Sequence, residues 1–394
     1  MVSKDDVLNL HRLLRGKIEV QNRIPLDKIN QEKDNILDET LSLIYTPGVA
    51  HVAETIQKNK ELVYDYTSKW NTIAIICDGT RVLGLGNTGP EAALPVMEGK
   101  SVIFKAMSGI NAIPLCIDSQ DEEAIIRFVK MVQPGFGTIN IEDIESPKIL
   151  NIVASLQKEL SIPIFHDDQH GISVVTLAAL VNAIKLKVKK IEELKVVIAG
   201  AGSAGYGIFK ILQRAGCSHI TVADKKGAIY KDRKEGGINN PYKKEIASNT
   251  NQEKKDGTLA DIIKDTDVFI GVSGKGGLLT EEMVKSMNQD SIVFALSNPD
   301  PEILPSDAVK AGAKITATGR SDYPNQINNA LVFPYILRAL FDTRSRKVDY
   351  EMFVDIANAI ASLVDQSELK EDHILPRLND LRLTARITSV LENR

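Results

Sequence analysis

The stretch VVIAGAGSAG, residues 196–205, decides how the second half of this chain must fold. Its first part, 196–199, has the apolar, β-branched composition of a short buried strand. Glycines follow at 200, 202 and 205, and apolar residues then recur at helical spacing as far as about Ala215. A strand, a G-x-G-x-x-G turn and a helix in this order are typical of a dinucleotide-binding unit.

The glycine turn predicts which groups meet a nucleotide. Backbone N–H groups and the helix N-terminus favour a pyrophosphate at this place. The predicted cofactor-binding residues of the turn are Gly200, Gly202, Ser203, Ala204 and Gly205. Asp224 ends the next predicted strand about 20 residues further on, where an acid accepts hydrogen bonds from ribose hydroxyls. Asp224 favours NAD, but Lys225 and Lys226 follow at once and can neutralise the 2'-phosphate of NADP, so both cofactors stay open.

Apolar runs along the whole chain predict an α/β protein in which strands alternate with helices. In the second half, strands are predicted at 219–223, 268–272, 292–296 and 314–317. In the first half, strands are predicted at 72–77, 102–104, 113–117 and 136–141. We therefore predict an N-terminal α/β domain over 1–160, a Rossmann-type domain with a doubly wound parallel sheet over 161–345, and a C-terminal helical tail over 346–394.

Composition narrows the classes of partner. The 394 residues carry 48 basic and 52 acidic side chains, for a formal net charge of -4, which provides no electrostatic footprint for nucleic acid or an anionic membrane. We expect a small-molecule substrate, and a cytoplasmic protein because no secretion-type segment or 18-residue apolar run is visible. Cys77, Cys116 and Cys217 are far apart in the sequence and are predicted to be reduced and structural.

Two pairs of acids each follow a predicted strand. Glu142 and Asp143 come directly after the strand at 136–141, and Asp167 and Asp168 come after the apolar run 161–165. In an α/β sheet this is the edge where ligands bind. Carboxylate oxygens without thiolates suit a hard divalent cation such as Mg²⁺ or Mn²⁺. A solvated turn and a helix cap are the structural alternative.

The second pair lies in FHDDQHG, residues 165–171, where His166 and His170 are spaced as in the zinc-protease pattern H-E-x-x-H. That pattern needs one continuous helix. Here the preceding residues are typical of a strand and helical periodicity starts only at Ile172, so the motif is predicted to be a strand-to-helix loop. We expect hydrogen bonds from the two histidines, and no zinc.

These motifs, with four others in the same order, resemble those of malic enzymes. The stretches that carry the resemblance are YTPGVA (45–50), DGTRVLGLG (78–86), IED (141–143), FHDDQHG (165–171), GAGSAG (200–205), LSNP (296–299) and TGRSDYPNQINN (318–329). The resemblance runs from about residue 20 to 385. The sequence is similar to the compact prokaryotic form of the family. It implies NAD(P)-dependent oxidation of L-malate, decarboxylation to pyruvate, and a divalent metal, with the N-terminal domain holding substrate.

The resemblance also assigns catalytic roles to individual residues. Lys100 matches the general base that takes the proton of the C2 hydroxyl, a role that requires its pKa to be lowered by its surroundings. Asp167 matches the carboxylate that orients this lysine and relays its proton. Tyr45 matches the acid that protonates C3 of the enolate.

Metal and substrate contacts follow from the same resemblance. Glu142, Asp143 and Asp168 match the ligands of Mg²⁺ or Mn²⁺. The residues that match contacts to the substrate are Arg81, Asn298 and Asn329, of which Asn298 also lies toward the cofactor. Arg81 offers a bidentate fork for a carboxylate.

Two positions depart from the family pattern, and the motifs fit more than one activity. Ile172 and Asp300 stand where relatives often have threonine, so position 172 offers no hydroxyl and position 300 adds a negative charge near a pocket for a dianion. A malolactic enzyme, which keeps its nicotinamide bound and releases lactate, shares the motifs. A nucleotide sensor without catalysis and a metallohydrolase built on His166 and His170 are two further hypotheses. The resemblance also implies a homodimer.

Overall fold

A computed structural model describes residues 3–14, 16–21, 23, 34–187, 189–234, 238 and 240–394. The strands are β1 (Thr72–Cys77), β2 (Asn111–Cys116), β3 (Thr138–Glu142), β4 (Ile164–His166), β5 (Lys195–Ala199), β6 (His219–Asp224), β7 (Gly227–Ala228), β8 (Val268–Gly271), β9 (Ile292–Ala295) and β10 (Ile315–Thr318). The α-helices are α1 (Lys4–Leu14), α2 (Asp34–Ile44), α3 (Val49–Lys58), α4 (Val63–Tyr66), α5 (Pro90–Ser108), α6 (Glu122–Val132), α7 (Lys148–Glu159), α8 (Ile172–Lys187), α9 (Ser203–Arg214), α10 (Pro241–Asn249), α11 (Leu259–Ile262), α12 (Glu281–Lys285), α13 (Pro305–Lys310), α14 (Phe333–Asp342), α15 (Tyr350–Ala361) and α16 (Arg382–Glu392).

The first sheet has the strand order β2-β1-β3-β4, with every pair parallel. All residues of β1 are buried, as is usual for a parallel strand covered on both faces. Because the strands are parallel, their carboxyl ends lie at one edge. Cys77 stands opposite Glu142, and Ile141 stands opposite His166. The chain segments that follow β1, β3 and β4 therefore meet at this edge.

The second sheet has the order β10-β9-β8-β5-β6-β7. Its strands are parallel except for β7, which turns back antiparallel to β6. The chain passes from β5 to β6 on one side and returns to β8 on the other, so the strand order switches beside β5. A crevice forms at such a switch, beyond the carboxyl end of β5.

These sheets and the helices α14 to α16 confirm the predicted fold class: an α/β N-terminal part, a Rossmann-type doubly wound sheet and C-terminal helices. The predicted domain bounds stay a prediction. Strand β4 lies beyond residue 160, yet it pairs with β3 of the first sheet. The predicted strand at 102–104 is wrong, because these residues lie within α5, where Phe104 is buried. A short apolar run does not by itself separate a strand from a buried helix.

Helix α8 is the apolar centre of the molecule. With the turn that precedes it, segment Asp167–Lys187 is long and apolar enough to cross a membrane by length and composition alone, but 72% of its apolar window is buried within the protein. Helices α9 and α15 pack against it. Burial on all sides explains why α8 lacks a polar face, and a core helix is the physical interpretation.

Candidate active site

Lys100 lies at the centre of a buried cluster at the edge of the first sheet. Helix α5 carries it, and only 15% of its side chain is exposed. Its Nζ donates to Oδ2 of Asp167 at 2.8 Å and to Oε1 of Glu142. The same Nζ lies 4.8 Å from the ring centre of Phe333. The structure thus brings together two acids and the lysine that the sequence assigned to one site.

The charge of Lys100 differs from the expectation. Burial acts to lower the pKa of Lys100, but the carboxylates of Asp167 and Glu142 outweigh burial and raise that pKa above its ordinary value. The expected lowering of the pKa is therefore absent in this arrangement, and the lysine is protonated. A cation bound by the neighbouring acids would weaken their hold on the lysine proton.

The acids around Lys100 are short of positive charge. Burial raises the pKa of Glu142 to about 8, against the lowering effect of Lys100. Burial and the charge of Asp168 raise the pKa of Asp143 to about 7. Oδ2 of Asp143 and Oδ1 of Asp167 are buried and have no hydrogen-bond partner among the described residues. Buried oxygens in this state favour a cation.

The carboxylate oxygens of this cluster therefore fit a hard divalent cation. The carboxylates do not yet surround a single point as metal ligands do. In the part of the chain that the structure describes, no three His, Cys, Asp or Glu side chains already converge as metal ligands would. Glu142 and Asp143 are buried, whereas Asp168 is exposed to the crevice. The three predicted ligands share one sheet edge, and their assignment as ligands stays a prediction.

Residues 167–171 form a π-helical turn that runs directly into α8, so the predicted loop is wrong. Turns of this type are frequent at functional sites. A Cβ at Gly171 would lie 2.0 Å from Oδ1 of Asp167, and glycine is what lets Asp167 fold back over the turn. The wide turn points Asp167 inward to Lys100 and leaves Asp168 exposed.

His166 and His170 are both buried, and His170 makes a hydrogen bond within the turn. Nδ1 of His170 accepts from the backbone N–H of His166 at 3.1 Å, which supports the predicted hydrogen-bonding role. Burial lowers the pKa of His170 well below its ordinary value and that of His166 to about 4, so both rings are neutral near pH 7. Nδ1 of His166 has no partner among the described residues.

Arg81 and Asn298 come from two separate loops, and Asn329 begins a short 3-10 helix, Asn329–Leu331. The backbone N–H of Arg81 donates to the carbonyl of Asp143 at 3.0 Å, and its side chain is exposed. A Cβ at Gly171 would lie 3.5 Å from Asn329, and one at Gly319 would lie 2.6 Å from Nδ2 of Asn298. Arg81 and Asn329 thus adjoin the acidic cluster, whereas Asn298 lies beside Gly319, beyond β10 of the second sheet.

The glycine turn has the close approaches that a nucleotide site needs. Gly200 has φ +124°, and a Cβ there would lie 2.5 Å from the carbonyl of Val272. A Cβ at Gly205 would lie 1.8 Å from the carbonyl of Gly200. Gly202 has open space instead, which leaves its backbone accessible to a pyrophosphate. The predicted strand, glycine turn and helix are confirmed, and the binding of a cofactor by these residues stays a prediction.

Asp224 is held by residues that the sequence did not single out. Arg233 donates to both of its oxygens, at 3.0 and 2.9 Å, and Nζ of Lys243 donates at 2.6 Å. The N–H of Lys226 donates at 2.9 Å. Burial raises the pKa of Asp224, but the bonds from Arg233 and Lys243 dominate and hold that pKa below its ordinary range. Lys225 is exposed beside this cluster.

Tyr45 lies outside the acidic cluster. It follows α2, its side chain is 69% exposed, and its hydroxyl makes no hydrogen bond among the described residues. No described side chain before Lys69 is buried. We call residues 3–58, as far as described, the N-terminal arm. One chain therefore presents Lys100 and Tyr45 in very different surroundings.

Asn140 also belongs to the site and was missed. Its Nδ2 donates to Oε1 of Glu142 at 2.7 Å, so this oxygen is shared by an amide and by Lys100. The signal was its place in β3: Asn140 is two residues before Glu142 and therefore points to the same face of the strand. No sequence pattern indicated that Phe333, at the start of α14, would lie beside Lys100, because the two residues are far apart in the sequence.

The two sheets share one crevice. A Cβ at Gly274, beyond β8, would lie 3.6 Å from Arg81, and one at Gly84 would lie 3.8 Å from Pro299. Fold and site together define an α/β enzyme of the nucleotide-dependent class, with a lysine–carboxylate cluster beside a dinucleotide turn.

Comparison with known proteins identifies the family. The model for the malic enzyme N-terminal domain matches residues 22–157, and the model for the malic enzyme NAD binding domain matches residues 170–391. The chain therefore belongs to the malic enzyme family.

Individual relatives cover nearly the whole chain. The chain is 47% identical to a bifunctional malic/malolactic enzyme of Bacillus subtilis, over 99% of this chain and 92% of that protein. It is 40% identical to an NADP-dependent malic enzyme of Halomonas elongata, over 89% of this chain and 85% of that protein. The crystal structure of an NAD-dependent malic enzyme from Thermotoga maritima has a TM-score of 0.91 and 44% identity, covering 100% and 99% of the two chains.

Proposed function

We propose that this protein oxidises L-malate and decarboxylates the product to pyruvate and carbon dioxide, with reduction of NAD or NADP. The observation that carries the proposal is the contact of Lys100 with both Glu142 and Asp167, because the turn 167–171 that carries Asp167 packs against α9, the helix of the dinucleotide unit. Family membership and the names of the relatives support the same reaction.

Four side chains carry out the steps of the proposed reaction. Arg81 binds a substrate carboxylate and orients C2 toward the nicotinamide. Lys100 removes the hydroxyl proton while a hydride leaves C2, and Asp167 holds this lysine in place and relays the proton. Carbon dioxide can leave only after this step, because the C2 ketone then accepts the electron pair of the breaking bond. Tyr45 protonates C3 of the resulting enolate.

A divalent cation fits this proposal on the chemistry of the site. Glu142, Asp143 and Asp168 would hold Mg²⁺ or Mn²⁺, which supplies Lewis-acid stabilisation of negative charge on the substrate. The unpartnered oxygen of Asp143 and the raised pKa of Glu142 and Asp143 support a cation there. Positive charge beside these acids also lets Lys100 release its proton more readily.

A direct assay tests the reaction. Malate is supplied with NAD or NADP, with Mn²⁺ or with a chelator, and reduced nicotinamide is followed by absorbance together with pyruvate. We expect stoichiometric reduced cofactor and pyruvate that depend on Mn²⁺. The proposal fails if malate is not consumed with either cofactor.

A malolactic reaction is the second candidate, and the B. subtilis relative is named for both activities. The two outcomes separate cleanly, because malolactic conversion releases lactate and leaves no net reduced cofactor. Lactate without reduced nicotinamide in the same assay would favour this candidate.

The N-terminal arm supports a homodimer. Many of its apolar side chains are exposed, including Leu13 at 81%, Val20 at 94% and Leu43 at 75%. Exposed apolar residues at this density mark an interaction surface. We propose that the arm packs on a second copy and that this packing brings Tyr45 to a crevice, since Tyr45 has no contact with the cluster in one chain.

Mixing two inactive variants tests the shared site. Tyr45→Phe and Lys100→Ala chains are denatured together and refolded as a mixture. If Tyr45 and Lys100 of one site come from different chains, hybrid dimers regain activity up to about a quarter of the wild-type sites. No recovery, with hybrids confirmed by mass, would show that each site belongs to a single chain.

A further inference from the structure

Glu302 is a fully buried acid that the proposed chemistry does not use. Its exposed fraction is 0%, and it lies beyond β9, in the loop that follows Asn298. Burial of a carboxylate is costly unless its oxygens accept hydrogen bonds. The contacts of Glu302 are therefore informative about its purpose.

Four donors from two loops meet this carboxylate. Ser273, beyond β8, donates from its N–H at 3.0 Å and from its hydroxyl at 2.8 Å. Ser297, beyond β9, donates from its N–H at 3.2 Å and from its hydroxyl at 2.5 Å. These donors are all neutral. Glu302 thus ties together the loops at the carboxyl ends of two adjacent strands.

The strand itself is adapted to this acid. A Cβ at Gly271, the last residue of β8, would lie 2.4 Å from Cδ of Glu302. Any larger side chain would push the carboxylate away from its donors. Glycine at the end of β8 is required by Glu302.

Ser297 connects the hydrogen bonds of Glu302 to the two loops that border the crevice. Its hydroxyl donates to Glu302 and accepts from the N–H of Gly274 at 2.8 Å. A Cβ at Gly274 would lie 3.6 Å from Arg81, while Asn298 directly follows Ser297. One hydroxyl therefore links the loop beside Arg81 to the loop that carries Asn298.

We propose that Glu302 and Ser297 are positioning residues that fix the separation between Arg81 and Asn298, and so set how firmly a dicarboxylate substrate is held. This inference rests on the proposed function for the identity of the substrate. The nucleotide turn adjoins the same loop, since a Cβ at Gly200 would lie 2.5 Å from the carbonyl oxygen of Val272 and 3.1 Å from the backbone nitrogen of Ser273. Cofactor binding is therefore measured beside the KM for malate.

The key experiment compares two Ser→Ala variants at positions that flank one strand, β9. Ser297 lies just beyond the carboxyl end of β9, and Ser291 directly precedes its amino end; both are buried, but only Ser297 donates to Glu302. We expect Ser297→Ala to raise the KM for malate about tenfold while kcat changes less, because substrate positioning is lost. Ser291→Ala should leave both constants within about twofold of wild type.

Glu302→Gln gives a second, independent variant. The amide nitrogen would face donors in place of one acceptor oxygen, so the loops separate without loss of volume. We expect the same selective rise in the KM for malate. Thermal unfolding, and fluorescence titration with NADH or NADPH, whichever the wild-type protein binds, report whether the variant has folded.

The combined measurements either support or overturn the positioning role. A selective rise in the KM for malate in Ser297→Ala and Glu302→Gln, with binding of the reduced cofactor kept, supports it. An unchanged KM for malate in Ser297→Ala, an equal effect in Ser291→Ala, or a parallel loss of reduced-cofactor binding and stability would overturn it. If the wild-type protein does not turn over malate at all, the proposed function fails first.

Discussion

Two acid–cation clusters, one at the edge of each sheet, have opposite charge balances. At the edge of the first sheet, Glu142 and Asp167 share the single ammonium of Lys100, and Asp143 keeps an unpartnered buried oxygen. At the edge of the second sheet, one acid, Asp224, is bound by both Arg233 and Lys243. The first cluster lacks positive charge, whereas the second has an excess of it.

This difference teaches how similar residues serve different purposes. A carboxylate has about four acceptor positions, and those of Asp224 are all used by Arg233, Lys243 and the N–H of Lys226. Such a cluster is stable as it stands and attracts an anion. The cluster around Lys100 attracts a cation and can exchange protons.

Among substitutions that alter the charge of either cluster, we expect the largest effect on activity from the loss of Lys100. Lys100→Ala should lower the rate of malate oxidation by about 10²–10⁴-fold, because the group that takes the hydroxyl proton is removed. Steady-state kinetics with saturating Mn²⁺ measure it. Lys105→Ala, an exposed lysine further along α5, is the matched control, and an equal loss there would argue against the role of Lys100.

The next effect concerns the cation. Asp168→Asn should weaken Mn²⁺ binding at least about tenfold, because one charged oxygen ligand is replaced by a neutral one. Titration followed by electron paramagnetic resonance measures free Mn²⁺ without reference to activity. Asp300→Asn is the control, an exposed acid of the opposite loop. Unchanged Mn²⁺ affinity in Asp168→Asn would remove this residue from the ligand set.

The second cluster predicts a change of cofactor choice. Lys243→Met should weaken NADPH binding about tenfold and leave NADH binding unchanged or improved, because a cation near the ribose is lost and an acceptor position on Asp224 is freed. Fluorescence titrations with both nucleotides measure the ratio. Lys244→Met, its neighbour on α10, should not shift it. If Lys243→Met weakens both nucleotides equally, the cluster is a structural anchor.

The smallest effect is on stability. In the folded protein the pKa of Asp143 is raised to about 7 and that of Glu142 to about 8, against about 4 when unfolded. Between about pH 4 and 8 the folded state holds more protons, so these two groups make stability fall as pH rises. Without metal we expect the Tm to drop by about 5 °C across this window, and saturating Mn²⁺ to reduce the drop. If Asp143→Asn showed the same drop in Tm across this pH window, Asp143 would not be its cause.

Local patterns in the sequence predicted the parts of the fold that depend on neighbouring residues. The strand and glycine turn at 196–205 and the acids at 142–143 stand where their patterns indicate, because strand length, glycine φ and the parallel edge are local properties. The helix over 102–104 was missed because burial there comes from a distant partner: Phe104 packs on Phe333.

The candidate site was predictable by residue type but not by partner. The sequence and the family pattern placed Lys100 with Asp167, but not the raised pKa of Lys100 that results when Glu142 joins them. Arg233 and Lys243 are ordinary basic positions in the sequence until the chain folds them onto Asp224. Such contacts depend on tertiary packing, which no local pattern encodes.

Helix α8 has a practical consequence for dividing this protein into parts. Its helical segment begins at the edge of the first sheet, where Asp167 meets Lys100, and its length is covered by α9 and α15 from the second half. A fragment that stops before α15 would leave an apolar surface uncovered, and one that starts after β4 would lose the strand that leads into the helix. Expression of either half alone should therefore give aggregated material, whereas the full chain keeps its most apolar segment enclosed.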